Sequence, residues 1–223
     1  MVTVLTFLKR KTGMSVEDFQ EYWRARHPDV VTRLPGVRRY VQSHVLPSAY
    51  AKGEPAHDGI AEVWADDTEA LRAMTRSPAH AAVQADEAKF IDRARMGFIV
   101  TEEHVVTDGA TGPDAVKVVE FFTRSADLSV EAFQRHWRGS HAALAARIPG
   151  LRRYVARATR AAAYAAGRAP AYDGAALMWF DSLDALRAAG GSPEYRAVVA
   201  DRANFLAPGQ PPFIVTREHV IVG

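Results

Sequence analysis

Two stretches of the chain have nearly the same sequence and decide how it folds. Residues 15–27 read SVEDFQEYWRARH, and residues 129–141 read SVEAFQRHWRGSH. The agreement extends outward, since 18 of 41 positions are identical between residues 4–44 and 118–158. After one added residue, Asp58-Gly59 aligns with Asp173-Gly174. The chain is therefore predicted to be a tandem duplication, in which copy one spans residues 1–107, a linker spans 108–114 and copy two spans 115–223.

Composition and charge exclude several classes of protein. The chain has 223 residues, of which 48% are hydrophobic and 24% charged, so a disordered chain is excluded. It has no cysteine, which excludes disulfides and thiol nucleophiles. The net charge is only +2, and basic residues alternate with acidic ones, so we expect no nucleic-acid partner. We expect a cytoplasmic protein with no membrane partner, because signal-peptide and membrane-span patterns are absent from the sequence.

Each copy has the pattern of a strand, a helix, two strands, a helix and a strand. Ser15 and Asp18 resemble a capping box that opens the first helix, which we expect to run to about Leu34 before Pro35-Gly36 ends it. Strands are predicted near 3–9, 37–46, 59–65 and 98–106, and helical segments at 67–74 and 78–90. The order β-α-β-β-α-β is that of a ferredoxin-like unit. The predicted fold class is α+β, with two such units packed sheet to sheet as an intramolecular dimeric α+β barrel.

The first helix of each copy places a histidine in an apolar stripe. Phe19, Trp23 and His27 recur at helical spacing in copy one, and Phe133, Trp137 and His141 do so in copy two. Burial of an imidazole disfavours its charged form, and a neutral imidazole suits a general base. The alternative is a core histidine held by a structural hydrogen bond.

The second and third strands suggest that copy one has the more polar pocket. Tyr40, Gln42 and His44 share one strand face by parity, and Glu62 and Trp64 share a face of the next strand. Copy two instead has aliphatic residues at three of these positions, namely Ala156, Ala158 and Leu177. Buried polar groups are costly unless paired, which favours a pocket. The alternative is that Gln42, His44 and Glu62 lie on a solvated sheet edge.

Three motifs together resemble the EthD family of dimeric α/β-barrel proteins. They are Phe19-x-x-Tyr22-Trp23-Arg24-x-x-His27, Pro35-Gly36-x-Arg38-x-Tyr40-Val41 and Asp58-Gly59-x-Ala61-Glu62-x-Trp64, and copy two repeats most of them. Ser77-Pro78 and Asp86-x-x-x-Phe90 also fit. The resemblance covers essentially the whole chain as two tandem domains. It implies chemistry on small phenolic, aromatic or lactone substrates without a metal or organic cofactor.

By this resemblance, His27 would be the base and Tyr40 a hydrogen-bond donor to a carbonyl or enolate oxygen. His141 and Tyr154 are the matching positions in copy two. The resemblance, with the residue patterns above, predicts a substrate-binding set that consists of Tyr22, Trp23, Gln42, His44, Glu62, Trp64, Trp137 and Trp179.

The function expected from these residues is a cofactor-independent lyase or isomerase of secondary metabolism. It would start cyclisation, dehydration, decarboxylation or rearrangement of an aromatic polyketide-like or lactone molecule by proton abstraction. The alternatives are a cofactor-free monooxygenase of phenolic substrates and a non-catalytic small-molecule-binding protein. No metal is expected, because the His27-Pro28-Asp29 spacing is not repeated in copy two. Which copy is active, and whether the chain forms a homodimer, stay open.

Overall fold

The fold is described from a computed structural model that covers residues 1–165 and 169–223. The strands of copy one are β1 (Val2–Leu8), β2 (Arg39–Val45), β3 (Gly59–Ala65) and β4 (Gly97–Asp108). Its helices are α1 (Val16–Ala25), α2 (Pro28–Val31), α3 (Thr68–Arg76) and α4 (Pro78–Phe90), with a 3₁₀ turn at Pro47–Lys52. The predicted β-α-β-β-α-β order is confirmed for this copy.

Copy two repeats this order with small additions. Its strands are β5 (Val116–Phe122), β6 (Leu151–Thr159), β7 (Gly174–Phe180) and β8 (Phe213–Val222). Its helices are α5 (Val130–His136), α6 (Ala142–Ala145), α7 (Ala161–Ala165), α8 (Leu183–Gly190) and α9 (Pro193–Asp201). A π-helical turn at Trp137–His141 joins α5 to α6, and a 3₁₀ turn follows at Arg202–Asn204. None of the helices in the described part of the chain is long and apolar enough to cross a bilayer.

The first helix begins where the sequence predicts and ends earlier. The Ser15 hydroxyl accepts a hydrogen bond from the Asp18 amide at 3.0 Å, as a capping residue does. Instead of continuing to Leu34, α1 stops at Ala25, because Pro28 has no N–H to continue the helix. The His27 amide donates to the Tyr22 carbonyl five residues back, at 3.2 Å. This wide turn corresponds to the π-helical turn of copy two, and each turn carries the stripe histidine.

The eight strands are hydrogen-bonded in the closed order β1-β3-β2-β8-β5-β7-β6-β4. Inside each copy the pairing is antiparallel, with β1 and β2 both flanking β3, and β5 and β6 both flanking β7. This order is that of an α+β barrel built from two ferredoxin-like halves. The predicted fold class is confirmed.

The chain divides into two compact units that do not coincide with the two sequence copies. The first unit contains residues 1–101 and 216–223, and the second contains residues 102–215. Strand β4 is therefore divided between the first unit (97–101) and the second (102–108), and β8 between the second unit (213–215) and the first (216–222). In the first unit, the end of β8 pairs with β2, so that Gln42 lies opposite His219.

The repeated Asp-Gly pair anchors the core of each unit. Asp58 accepts hydrogen bonds from the Arg10 amide at 2.8 Å and from the Tyr50 hydroxyl at 2.7 Å. A Cβ atom on Gly59 would lie only 2.5 Å from the ring of Trp23, and Gly174 has the same relation to Trp137. Glycine is required at both positions because the tryptophan ring lies directly on the strand.

Candidate active site

The first unit contains a cavity of about 460 Å³, which we call the copy-one cavity. One wall is a face of the sheet, with Val4, Thr6 and Val63, and the other is formed by helices α1–α4, with Leu71, Met74 and Val83 among the lining residues. The polar groups in the lining include His27 and Tyr40. A largely apolar cavity of this size with a few polar groups is the usual form of a small-molecule site.

His27 is held in the cavity wall by a carboxylate that the sequence did not single out as its partner. Its Nδ1 lies 2.8 Å from Oδ2 of Asp86, and its ring meets Phe90 edge to face at 5.0 Å. A neutral imidazole whose Nδ1 faces a carboxylate carries its proton on Nδ1, which leaves the lone pair of Nε2 on the cavity side. Burial lowers the pKa of His27 below its usual value of 6.5, although Asp86 opposes the shift. His27 is therefore a neutral base at physiological pH.

Asp86 is itself fixed by three hydrogen bonds. Besides His27, the Tyr22 hydroxyl donates to it at 2.7 Å and the Lys89 ammonium at 2.9 Å. Burial alone would raise its pKa, but the hydrogen bonds from His27, Tyr22 and Lys89 hold the pKa of Asp86 below its usual range. Asp86 therefore stays ionised and orients His27. Tyr22, predicted to bind substrate, donates to this carboxylate and is not among the residues that line the cavity.

Tyr40 presents a hydroxyl whose acceptor positions are already used. The Trp23 indole N–H donates to the Tyr40 oxygen at 3.3 Å, and the Gln42 amide donates to it at 2.8 Å. The Tyr40 hydroxyl proton is therefore left to donate elsewhere, and Tyr40 lines the cavity. Burial raises the pKa of Tyr40 well above its usual value, so it acts as a neutral donor.

His44 and Gln42 hold Tyr40 and Trp23 in place through hydrogen bonds and ring stacking. Nε2 of His44 lies 3.0 Å from the Gln42 side-chain oxygen, and the ring stacks on Trp23 at 4.3 Å. Because Gln42 donates through its nitrogen to Tyr40 and to the Trp23 carbonyl, its oxygen accepts from His44. Burial lowers the pKa of His44 to about 3, so this histidine is neutral. Both residues are fully buried supports of Tyr40 rather than cavity-lining residues.

Glu62 and Trp64 lie on the other face of the sheet. In the β2–β3 pairing, Glu62 is opposite Val41, whereas Tyr40 is opposite Val63. Directly paired residues share a face, so Glu62 and Trp64 point away from His27 and Tyr40. Trp23 lines the copy-one cavity, whereas Trp64 is not among its lining residues. In copy two, Trp179 is likewise on the face opposite Tyr154, because it pairs with Arg153.

Copy two keeps the histidine–aspartate and tryptophan–tyrosine contacts of the first site. His141 Nδ1 lies 2.9 Å from Asp201, and the Trp137 indole donates to the Tyr154 hydroxyl at 2.7 Å. Burial lowers the pKa of His141 and raises that of Tyr154. His136 stands where copy one has Tyr22, and it also contacts Asp201, at 3.0 Å.

The space beside these groups differs between the copies. A cavity of about 160 Å³ in the second unit, which we call the copy-two cavity, is lined by Ile148 and Met178 among others, but not by His141 or Tyr154. Glu120 and Arg202 stand where copy one has Thr6 and Glu87. They form a buried ion pair with a nitrogen–oxygen distance of 2.5 Å.

Metal ligands are not clustered at either histidine. Within residues 1–165 and 169–223, no group of three His, Cys, Asp or Glu side chains is placed to hold a metal ion. In copy one, His27 can meet an added group only through Nε2, because Nδ1 is bonded to Asp86.

Sequence reasoning missed the contact of Asp86 with His27 and the place of Glu87 in the cavity lining. The signal for Asp86 was present, because Asp86 and Asp201 align between the copies, each four residues before a phenylalanine. Glu87 has no such signal, since its counterpart is Arg202.

The chain belongs to the EthD family. The EthD domain matches residues 11–94 and again residues 125–209, so the predicted tandem organisation of this family is confirmed. No curated protein matches the chain in sequence.

Solved structures share the fold over nearly the whole chain. An anthrone oxidase-like protein aligns over 100% of this chain and 94% of its own, with 14% identity and a TM-score of 0.65. A candidate monooxygenase from Fusobacterium nucleatum covers 99% and 92%, with 8% identity and a TM-score of 0.59. A candidate chlorite dismutase covers 98% and 94%, with 13% identity and a TM-score of 0.57. At these identities the likeness establishes the fold.

Proposed function

We propose that the protein is a small-molecule enzyme that removes a proton beside a carbonyl group, and that it acts as a cofactor-independent lyase or isomerase. The observation that carries this proposal is the pair of groups in the copy-one cavity. His27 offers the lone pair of Nε2 because Asp86 holds Nδ1, and Tyr40 offers a hydroxyl proton. A base and a hydrogen-bond donor at one apolar cavity suit the formation of an enolate.

The proposed step conserves atoms and charge. Nε2 of His27 takes the proton from the carbon next to the carbonyl, and the electron pair of that C–H bond moves to form the enolate. The enolate oxygen accepts the hydrogen bond from Tyr40, whose high pKa keeps its proton in place. The imidazolium is stabilised by the ionised Asp86. The enolate then takes a proton at another atom, or expels a leaving group.

The lining of the cavity favours a flat apolar substrate. Its walls are mainly aliphatic, and Trp23 contributes an indole edge. A volume of about 460 Å³ accommodates a compound of two or three fused rings. We therefore propose aromatic polyketide-like ketones or lactones as the substrate class.

A cofactor-free monooxygenase is the second candidate. Its reaction begins with the same proton abstraction and continues with attack of the enolate on dioxygen. The names of two structural neighbours, an anthrone oxidase-like protein and a candidate monooxygenase, favour testing it. The third candidate, a non-catalytic binding protein, would use the cavity without the base.

Hydrogen–deuterium exchange tests the base without knowledge of the natural product. 2-Tetralone has acidic protons at C1, and their exchange in D₂O is followed by NMR. We expect native protein to accelerate exchange above the buffer rate, and His27→Gln to lose about 10²–10⁴-fold of that acceleration. The matched variant His141→Gln should retain it.

The outcomes separate the three candidates. Binding of 2-tetralone without exchange would overturn the enzyme proposal and favour a binding protein. Oxygen uptake with anthrone, measured by an oxygen electrode and abolished by His27→Gln, would favour the monooxygenase. Exchange without oxygen uptake supports the lyase or isomerase.

A further inference from the structure

Glu87 is an acidic side chain in the copy-one cavity that the proposed base step does not use. It follows Asp86 in α4, and together with His80, Val83 and Gln84 it forms the cavity-facing side of that helix. These residues recur at intervals of three or four, which places them on one helix face. One helix therefore provides both the carboxylate that orients His27 and a second carboxyl that faces the cavity.

The carboxyl group of Glu87 makes no hydrogen bond and no ion pair with any residue that the structure describes. Its neighbour Asp86, by contrast, has three hydrogen-bonding partners. A half-buried carboxyl in an apolar wall without a partner is costly when charged, and a structural role would normally supply a partner. The arrangement leaves the group available to a molecule in the cavity.

The surroundings of Glu87 favour its protonated form. Burial raises the pKa of Glu87, Arg93 opposes the shift and the charge of Asp86 adds to it. A charge on Glu87 also raises the pKa of Tyr40, so the two groups interact electrostatically within the cavity. The titratable and charged groups that bear on Glu87 or share its cavity come from five elements or turns, and they are His27, Tyr40, Arg72, His80, Asp86 and Arg93.

Copy two has no acid at this position. Arg202 replaces Glu87 and is paired with Glu120, which itself replaces Thr6. The two copies thus share the histidine, its aspartate and the tyrosine, and they differ in whether the residue after that aspartate is a carboxylic acid without a partner or a paired arginine.

We propose that Glu87 is a second catalytic residue, a general acid that protonates the leaving group, and that the site serves the dehydration of β-hydroxy ketones. This inference rests on the proposed function, because it needs the enolate that His27 forms. Hydroxide is a poor leaving group and departs readily only when it is protonated. A leaving group that departs as a stable anion, such as a carboxylate, would need no acid at this place.

The dehydration uses His27, Tyr40 and Glu87 in turn. His27 removes the proton from the carbon between the carbonyl and the carbinol, and the enolate forms against Tyr40. The enolate electrons re-form the carbonyl and make a carbon–carbon double bond as the β C–O bond breaks. The proton of Glu87 goes to the departing oxygen, which leaves as water. The proton on His27 then restores Glu87, directly or through solvent.

Two leaving groups on one ring system test the role. 3-Hydroxy-1-tetralone loses water to give fluorescent 1-naphthol, and 3-acetoxy-1-tetralone loses acetate, which leaves without a proton. We expect Glu87→Gln to reduce turnover of the hydroxy compound by about 10²–10⁴-fold and to change turnover of the acetoxy compound little. His27→Gln should reduce both. Glu21→Gln, at an exposed position of α1, is the matched control and should change neither.

The pH profile gives a second readout that a structural role would not move. Turnover of the hydroxy compound should fall as pH rises through the pKa of Glu87, and this fall should be absent from the residual activity of Glu87→Gln. Melting temperatures of the variants show whether they are folded.

Each result bears on the inference. Equal loss on both compounds with Glu87→Gln, or no loss on either, would overturn the role of Glu87. If native protein exchanges 2-tetralone but forms no naphthol from the hydroxy compound, the dehydration proposal fails while the base step stands. If native protein neither exchanges 2-tetralone nor forms naphthol, both fail.

Discussion

The two copies share a frame of packed and hydrogen-bonded side chains, but they differ in the cavity beside that frame. In each, a tryptophan lies on a glycine of the third strand and donates to a tyrosine, and a histidine is bonded to an aspartate. The copy-one cavity measures about 460 Å³ and reaches the histidine. The copy-two cavity measures about 160 Å³ and does not.

This difference teaches that the histidine and tyrosine do not by themselves define a site. Copy two has the same two residues, His141 and Tyr154, hydrogen-bonded to Asp201 and Trp137. Two substitutions replaced Thr6 and Glu87 with the longer charged pair Glu120 and Arg202, which bond to each other. We infer that the pair occupies the space that a ligand would need, and that copy two supports the fold while copy one carries the chemistry.

The largest expected effect is a loss of 2-tetralone exchange when Asp86 is substituted but not when Asp201 is. Asp86→Asn presents an amide N–H to His27, so the imidazole proton moves to Nε2 and the base faces the cavity in the wrong tautomer. We expect exchange of 2-tetralone to fall by about 10²–10⁴-fold. Asp201→Asn should leave the exchange unchanged. Equal losses in the two variants, measured by NMR, would mean that both copies contribute to catalysis.

The next effect concerns the ion pair of copy two. Arg202→Met leaves the buried Glu120 without its partner, and we expect unfolding free energy to fall by about 3–5 kcal/mol. Glu87→Met, at the matching position of copy one, removes no partner and should cost far less. Urea unfolding measures both. Adding Glu120→Thr to Arg202→Met should recover most of the loss, and failure to recover it would argue against a pairing role.

Substitution of the third-strand glycines should cause a smaller loss of stability that is equal in the two copies. Gly59→Ala and Gly174→Ala each place a methyl group against a tryptophan ring, and we expect each to cost about 1–3 kcal/mol. Gly139→Ala meets no neighbouring atom and is the control. Calorimetry that finds one of the two sensitive variants unaffected would show that the frames are not equivalent.

The last comparison is the pH-dependent contribution of His44, which has no counterpart in copy two. Folded His44 binds a proton near pH 3 and unfolded His44 near 6.5, so the unfolded state holds more protons between these values. The contribution of His44 should therefore lower the free energy of unfolding by about 1.4 kcal/mol for each pH unit below 6.5, down to its folded pKa. Copy two has Ala158 at this position. His44→Gln should flatten the slope, and the exposed control His104→Gln should not; equal slopes would refute the assignment.

The sequence predicted the fold well because its signals are local or repeated. The duplication, the Ser15 cap and the strand order follow from short patterns, and strand parity correctly places Tyr40, Gln42 and His44 on one face. The wide turn at His27 was missed, because Phe19, Trp23 and His27 are spaced four residues apart, as they would be on a regular α-helix.

Site features that depend on distant contacts could not be predicted. Strand parity does not say which face of β3 matches which face of β2, because a shift of one residue in register exchanges the faces. This is why the sequence could not tell whether Glu62 and Trp64 share a face with Tyr40. The His27–Asp86 contact spans 59 residues and the Arg202–Glu120 contact spans 82, and neither follows from local spacing.

The hydroxyl of Tyr40 limits which ligand groups can be placed against it in the cavity. Its oxygen already receives hydrogen bonds from Trp23 and Gln42, so it cannot accept a third from a ligand. An amine or amide N–H placed against it would lose its hydration and gain no partner, which costs about 1–3 kcal/mol. A carbonyl at the same place would be satisfied. We therefore expect the cavity to bind ketones in preference to their amino analogues, because the Tyr40 oxygen has no acceptor capacity left.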